Sequence, residues 1–151
     1  MRIYRLKRTQ FLPVSMNTAW QFFSDPINLP EITPPWLGLR LIQKMPESVY
    51  AGMILSYRLS PLPYISVNWT TEITHLRDPD FFVDEQRFGP YKFWHHQHLF
   101  KAFGSGTEMA DIVHYAMGFW VLGDLVHRFI VSPRLENIFD FRYEKLKQIF
   151  S

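Results

Sequence analysis

The chain has 151 residues, with 16 Lys plus Arg against 14 Asp plus Glu for a formal charge of +2, and it contains no cysteine. That length suits one domain with one core; the near-neutral charge with scattered basic residues argues against a nucleic-acid partner; and the lack of thiols excludes disulfides, thiolate metal centres and a cysteine nucleophile, which fits a reducing, cytoplasmic setting. Arg2, Arg5, Lys7 and Arg8 stand where a signal peptide would need an apolar stretch, and later apolar runs fall far short of the roughly 18 residues of a membrane span, so neither export nor a membrane span is expected.

Residues 2–12 alternate Ile3, Tyr4 and Leu6 with the basic residues and end at Pro13, which lacks the amide hydrogen a ladder needs. A first strand with one solvated face is predicted. Ser15 is placed to cap a short helix over about 16–24, with Ala19, Trp20, Phe22 and Phe23 as its apolar side and Asp25-Pro26 as its stop. Four prolines from Pro26 to Pro35 disfavour a long regular element, so a helical turn and a stiff loop follow. Such a segment either holds Leu29, Ile32 and Trp36 as a fixed flap over a cavity or serves as a plain connector.

Strand-forming runs come next, at about 38–45, 52–60, 64–76, 81–88, 91–103 and 106–116. Their separators are Pro46, Gly52, Pro61 with Pro63, Asp78-Pro79, Gly89-Pro90 and Gly104-Ser105-Gly106, all carrying turn chemistry. Strands in series imply an antiparallel meander, seven strands in all with the first. Beyond Gly118 and Gly123, Leu125, Phe129, Ile138, Phe141 or Arg142, Leu146 and Ile149 recur with a period near 3.6, which predicts a helix to the end, bent at Pro133. The apolar run Phe119-Trp120-Val121-Leu122 reads as a loop packed on that helix, or as an interface or pocket gate.

Alternation along strands assigns the polar residues to faces. Trp94, His96, His98 and Phe100 share one face; so do Thr107, Met109, Asp111, Val113 and Tyr115, and so do Asp84, Gln86 and Phe88. A face packed tightly on a helix would be aliphatic, because a buried ionisable group without partners costs several kcal/mol. Large rings interleaved with Asp and His instead predict a lined cavity, and Glu85, Arg87, Lys101 and Glu108 on the opposite faces argue that those face solvent.

Asp25-Pro26 to Leu29-Pro30, then Thr33-Pro34-Pro35-Trp36, together with Asp84-Glu85-Gln86, Gly89-Pro90-Tyr91, Trp94, His96, His98, Phe100, Thr107, Met109, Asp111 and the stretch from Phe139 to Arg142, resemble a bacterial family of the START-like, helix-grip superfamily, also called SRPBCC or polyketide cyclase/dehydrase-like. The resemblance implies an α+β fold over residues 1–151: a curved seven-stranded antiparallel sheet wrapped around a long C-terminal helix, with two short helices after the first strand. It is specific for fold and not for activity, since relatives include lipid carriers, receptors and aromatase/cyclases.

Three chemistries fit the mixed faces. Tyr57, Trp69, Trp94 and Met109 can take the body of a lipid-like or aromatic ligand while Asp84, Gln86, His96, His98 and Asp111 hold its polar group; this small apolar molecule is the expected partner, with no cofactor. Asp84, His96, His98 and Asp111 are also the candidates for acid–base catalysis of a cyclase or dehydratase type. His96 and His98, two apart on one strand face, could reach a metal with Asp84 or Asp111 completing the set, but His-x-His is a common accident and no metal is expected. The same four groups could instead satisfy one another as a structural network.

Overall fold

The strand predicted at residues 2–12 forms from Tyr4 to Leu12. In the computed structural model, which describes residues 1–44, 49–118 and 123–151, β1 runs Tyr4–Leu12 and buries Leu6, Gln10 and Leu12 while Arg5, Lys7 and Thr9 face solvent. Ser15 caps α1 (Met16–Phe23), its hydroxyl accepting the Thr18 amide at 3.2 Å. The proline-rich stretch yields two single 3-10 turns, Pro26–Asn28 and Pro35–Leu37, rather than a second α-helix. Gly38 closes the latter turn at φ 57°, a left-handed value that suits glycine.

The run at 38–45 gives only a two-residue edge strand, β2 (Arg40–Leu41). Beyond it the Gln43 side chain continues the ladder, its amide donating to the Ile54 carbonyl at 3.0 Å and accepting the Ser56 amide at 2.8 Å. Pro46 lies outside the described residues. The other runs become β3 (Ile54–Leu62), β4 (Ile65–Arg77), β5 (Phe81–Phe88), β6 (Phe93–Phe103) and β7 (Gly106–Ala116).

Strands β2 to β7 form the expected antiparallel meander, and β1 pairs with β7, giving the order β1-β7-β6-β5-β4-β3-β2. Register breaks at Leu59/Leu62, Thr70/Thr71 and Ile73/His75 mark bulges, which bend and twist strands and so help curve the sheet.

The last segment runs α2 (Gly123–Val126), a π-helical turn His127–Val131 and α3 (Ser132–Ile149), with Pro133 in the first turn of α3. There the missing amide of a proline costs least. The π turn shifts the helical phase, so the stripe does not extend back as predicted: Leu135, Phe139, Arg142 and Leu146 are buried, whereas Leu125 and Phe129 are exposed. Arg8 on β1 pairs with Glu136 and, at 3.4 Å, Asp140, and the Gln10 amide donates to the Tyr143 carbonyl at 2.9 Å, tying α3 to the sheet. The residues 119–122 lie outside the described part. Among the described residues no helix is long and apolar enough to cross a membrane.

Two apolar clusters flank the middle of the concave face. One joins α1 to the end of α3 through Trp20, Phe82, Phe100, Leu146 and Phe150; the other joins Leu6, Trp94, Val113 and Tyr115 to Leu135 and Phe139.

Candidate functional site: an apolar cavity closed by a crossed His–Asp cluster

A cavity of about 570 Å³ opens over the inner face of β3 to β6, under α3 and the proline-rich turns. Its walls are mainly apolar, with Leu55, Leu59, Ile73, Leu135 and Phe139 among them, and Leu29, Ile32 and Trp36 close one side as the flap reading anticipated. The Trp36 indole donates to Asn137 Oδ1 at 3.2 Å, linking that flap to α3.

Of the residues singled out from the sequence, Tyr57, Trp69, Asp84, Trp94, His96 and His98 line the cavity. The Tyr57 position on β3 pairs with that of Trp69 on β4, whose ring meets Trp94 edge-on at 5.0 Å, so three strands contribute one aromatic wall. Gln86, Met109 and Asp111 stand elsewhere. The Gln86 side-chain amide turns onto the backbone of Tyr91, donating to its carbonyl at 2.6 Å and accepting its amide at 3.2 Å. Met109 lies in the core with Leu12, Ala19 and Phe100, because β7 lies beyond the strands under the cavity. Asp111 is buried behind the two histidines, against Arg142 of α3.

The strand ladder sets Asp84 opposite His96 and His98 opposite Asp111. The hydrogen bonds run diagonally instead: His96 Nε2 donates to Asp111 Oδ1 at 2.7 Å, and His98 Nε2 donates to Asp84 Oδ2 at 2.8 Å. The remaining nitrogens complete the crossing, His96 Nδ1 lying 3.6 Å from Asp84 Oδ2 and His98 Nδ1 3.3 Å from Asp111 Oδ1. Each imidazole therefore lies between the same two carboxylates. The rings are 3.8 Å apart, and Phe82 stacks on His98 at 4.0 Å.

Two further residues complete the cluster and were not assigned to it from the sequence. Thr71 donates to Asp84 Oδ1 at 3.2 Å, and the Arg142 guanidinium reaches Asp111 Oδ1 at 3.3 Å. Thr71 carries no distinguishing signal in a strand, where threonine is common. Arg142 did carry one, as a cation on the otherwise apolar stripe of α3, where a buried charge requires a partner.

Burial opposes both carboxylates' charge, but the partners overcome it. Arg142 and the hydrogen bonds from both histidines hold Asp111 well below the usual carboxylate range, and the His98 hydrogen bond with the charge of His96 holds Asp84 below it. His96 is lowered by burial and by the charge of its neighbour His98. His98, also buried, is nonetheless raised, because it bonds both Asp111 and Asp84. One nitrogen of each histidine and one oxygen of Asp84 lie within 4.8 Å of one another, a donor set of metal-binding type.

A family described as polyketide cyclase / dehydrase and lipid transport matches residues 12–142. The chain belongs to that family. No curated protein matches it. Among solved structures, CV1439 of Chromobacterium violaceum aligns at TM-score 0.74 and 8% identity over 97% of this chain and 96% of that one. The major latex-like protein 151 of Panax ginseng aligns at 0.71 and 12%, over 99% and 98%. The di-domain ARO/CYC StfQ of the steffimycin biosynthetic pathway aligns at 0.62 and 12%, over 97% of this chain and 52% of its own length. At these identities the likeness is one of fold, and the curved sheet around a long C-terminal helix is the helix-grip architecture of the family.

Proposed function

We propose that the protein binds one small, largely apolar molecule, lipid-like or polycyclic aromatic, with its polar group directed at Asp84, His96 and His98. The observation that carries this reading is the cavity: about 570 Å³, within the range of small-molecule sites, walled by aliphatic and aromatic groups and polar at one end. Tyr57, Trp69 and Trp94 hold the ligand's apolar body. Asp111 and Arg142 support the polar end from behind, and Gln86 holds the backbone of Tyr91, a residue of the cavity wall. The family's description, which joins cyclases with lipid transport, agrees with a ligand of this class.

The test is equilibrium titration with fatty acids and polycyclic aromatic ketones, read by tryptophan fluorescence, for the wild type and Leu59→Trp. Leu59 is buried on the cavity wall, and an indole there occupies ligand space. Saturable one-to-one binding that Leu59→Trp weakens by at least about tenfold, roughly 1.4 kcal/mol, is the expected result. Binding insensitive to that substitution in a folded variant would place the ligand elsewhere.

A further inference from the structure

We propose that Asp84, His96 and His98 form a site for one divalent transition-metal ion at the polar end of the cavity, with Asp111 as the residue that positions both imidazoles. The argument does not depend on the apolar ligand. Asp111 Oδ1 takes the Nε2–H of His96, which leaves the lone pair on Nδ1, the nitrogen facing Asp84 Oδ2 at 3.6 Å. A lone pair and a carboxylate oxygen facing each other at that distance repel unless a cation lies between them. At His98 an entering ion displaces the Nε2 hydrogen that is donated to Asp84 at 2.8 Å, and the imidazole then carries its hydrogen on Nδ1, 3.3 Å from Asp111 Oδ1.

Each histidine thus has a carboxylate behind it and a second carboxylate in front, the carboxylate–histidine–metal pattern that fixes tautomer and ring orientation at metal sites. The spacing also fits. Metal–ligand bonds of about 2.0–2.2 Å in tetrahedral geometry set neighbouring donors roughly 3.4 Å apart, and the two histidine-to-Asp84 distances bracket that value at 3.6 and 2.8 Å.

Charge agrees with geometry. Two buried carboxylates, Asp84 and Asp111, face a single guanidinium, Arg142, so the fixed ions carry one excess negative charge. A divalent ion reverses this to one excess positive charge, which a hydroxide or an anionic ligand oxygen arriving from the cavity balances. Two imidazoles and one carboxylate without sulfur select Zn²⁺, Fe²⁺ or Co²⁺ over Ca²⁺ or Mg²⁺. All three ligands line the cavity wall, whereas Asp111 does not, so the open positions of the ion face the space a ligand would occupy.

The experiment uses tag-free protein stripped with chelator and titrated with Zn²⁺ by calorimetry and with Co²⁺ by visible absorbance. One equivalent is expected to bind, with loss of binding in His98→Ala and Asp84→Asn and an affinity lowered about 10- to 100-fold in Asp111→Asn. His114→Ala, on the outer face, should bind as the wild type does. Should a site variant fail to fold, the wild type still decides: Zn²⁺ must shift the imidazole resonances of His96 and His98 and leave those of His75, His95 and His114 in place. Absence of stoichiometric uptake, uptake that survives both His98→Ala and Asp84→Asn, or shifts spread over the surface histidines would overturn the proposal.

Discussion

His98 stands directly across the ladder from Asp111, yet its Nε2 bonds Asp84 on the other neighbouring strand, at 2.8 Å. His96 makes the mirror choice, and Arg142 compensates the carboxylate both share. The cluster therefore locks β5, β6, β7 and α3 together under the polar end of the cavity.

Removing the cation should expose that dependence. Arg142→Met leaves Asp111 buried with only imidazoles for company, and breaking one side of a buried ion pair costs about 3–5 kcal/mol. Urea denaturation should show that loss. The double variant Arg142→Met with Asp111→Asn should lose less than the sum of the single variants, because no uncompensated charge is left. Strict additivity would mean that the 3.3 Å contact carries no coupling.

Trp69 offers a cleaner probe of the wall than Trp94, being only partly buried while Trp94 belongs to the core. Trp69→Ala should raise the dissociation constant of an apolar ligand about tenfold, roughly 1.4 kcal/mol, with a smaller effect on the unfolding midpoint than Trp94→Ala. Fluorescence titration beside thermal melts separates the two effects.

His127, away from the cluster, carries a pH-dependent contribution to stability. Tyr115 donates its hydroxyl to His127 Nε2 at 2.8 Å, and the Tyr4 ring stacks on that imidazole at 3.4 Å. Burial, then Arg2, lowers the His127 pKa, and Asp124 opposes them. The unfolded chain takes up this proton near pH 6.5 and the folded chain only at lower pH, so the stability present above pH 6.5 is lost as pH falls toward the folded value. Wild type should lose stability relative to His127→Phe between about pH 7.5 and 5.5. Parallel stability curves would contradict this.

Gly106 opens β7 against the end of β1. A Cβ there would lie 2.3 Å from the Leu12 carbonyl oxygen, closer than such atoms approach. Gly106→Ala should therefore lower the melting temperature by forcing β1 and β7 apart. The same substitution at Gly118, where a Cβ meets nothing within 4 Å among the described residues, should change it far less.

The seven strands were legible because turn chemistry at Gly89-Pro90 or Gly104-Ser105-Gly106 and alternation in runs such as 93–100 act over a few residues. The end of the chain was less so: a period of 3.6 was extended from Leu146 back to Phe129 and Leu125, and nothing local announces that a π turn at His127–Val131 shifts the phase. Strand alternation correctly put Asp84, His96, His98 and Asp111 on the inner face. It could not show that Asp111 and Met109 lie off the cavity, because alternation fixes a face and not which part of it α3 covers. Gln86 shows a different limit, since its bonds to the Tyr91 backbone arise from a turn rather than a face.

Native mass spectrometry addresses the central claim most directly, on protein purified without detergent and measured before and after addition of excess anilinonaphthalene sulfonate, followed by denaturing extraction. A one-to-one adduct, co-purified or formed with the probe and missing from Leu59→Trp, is the predicted result. A bare mass under both conditions would contradict a ligand-binding cavity.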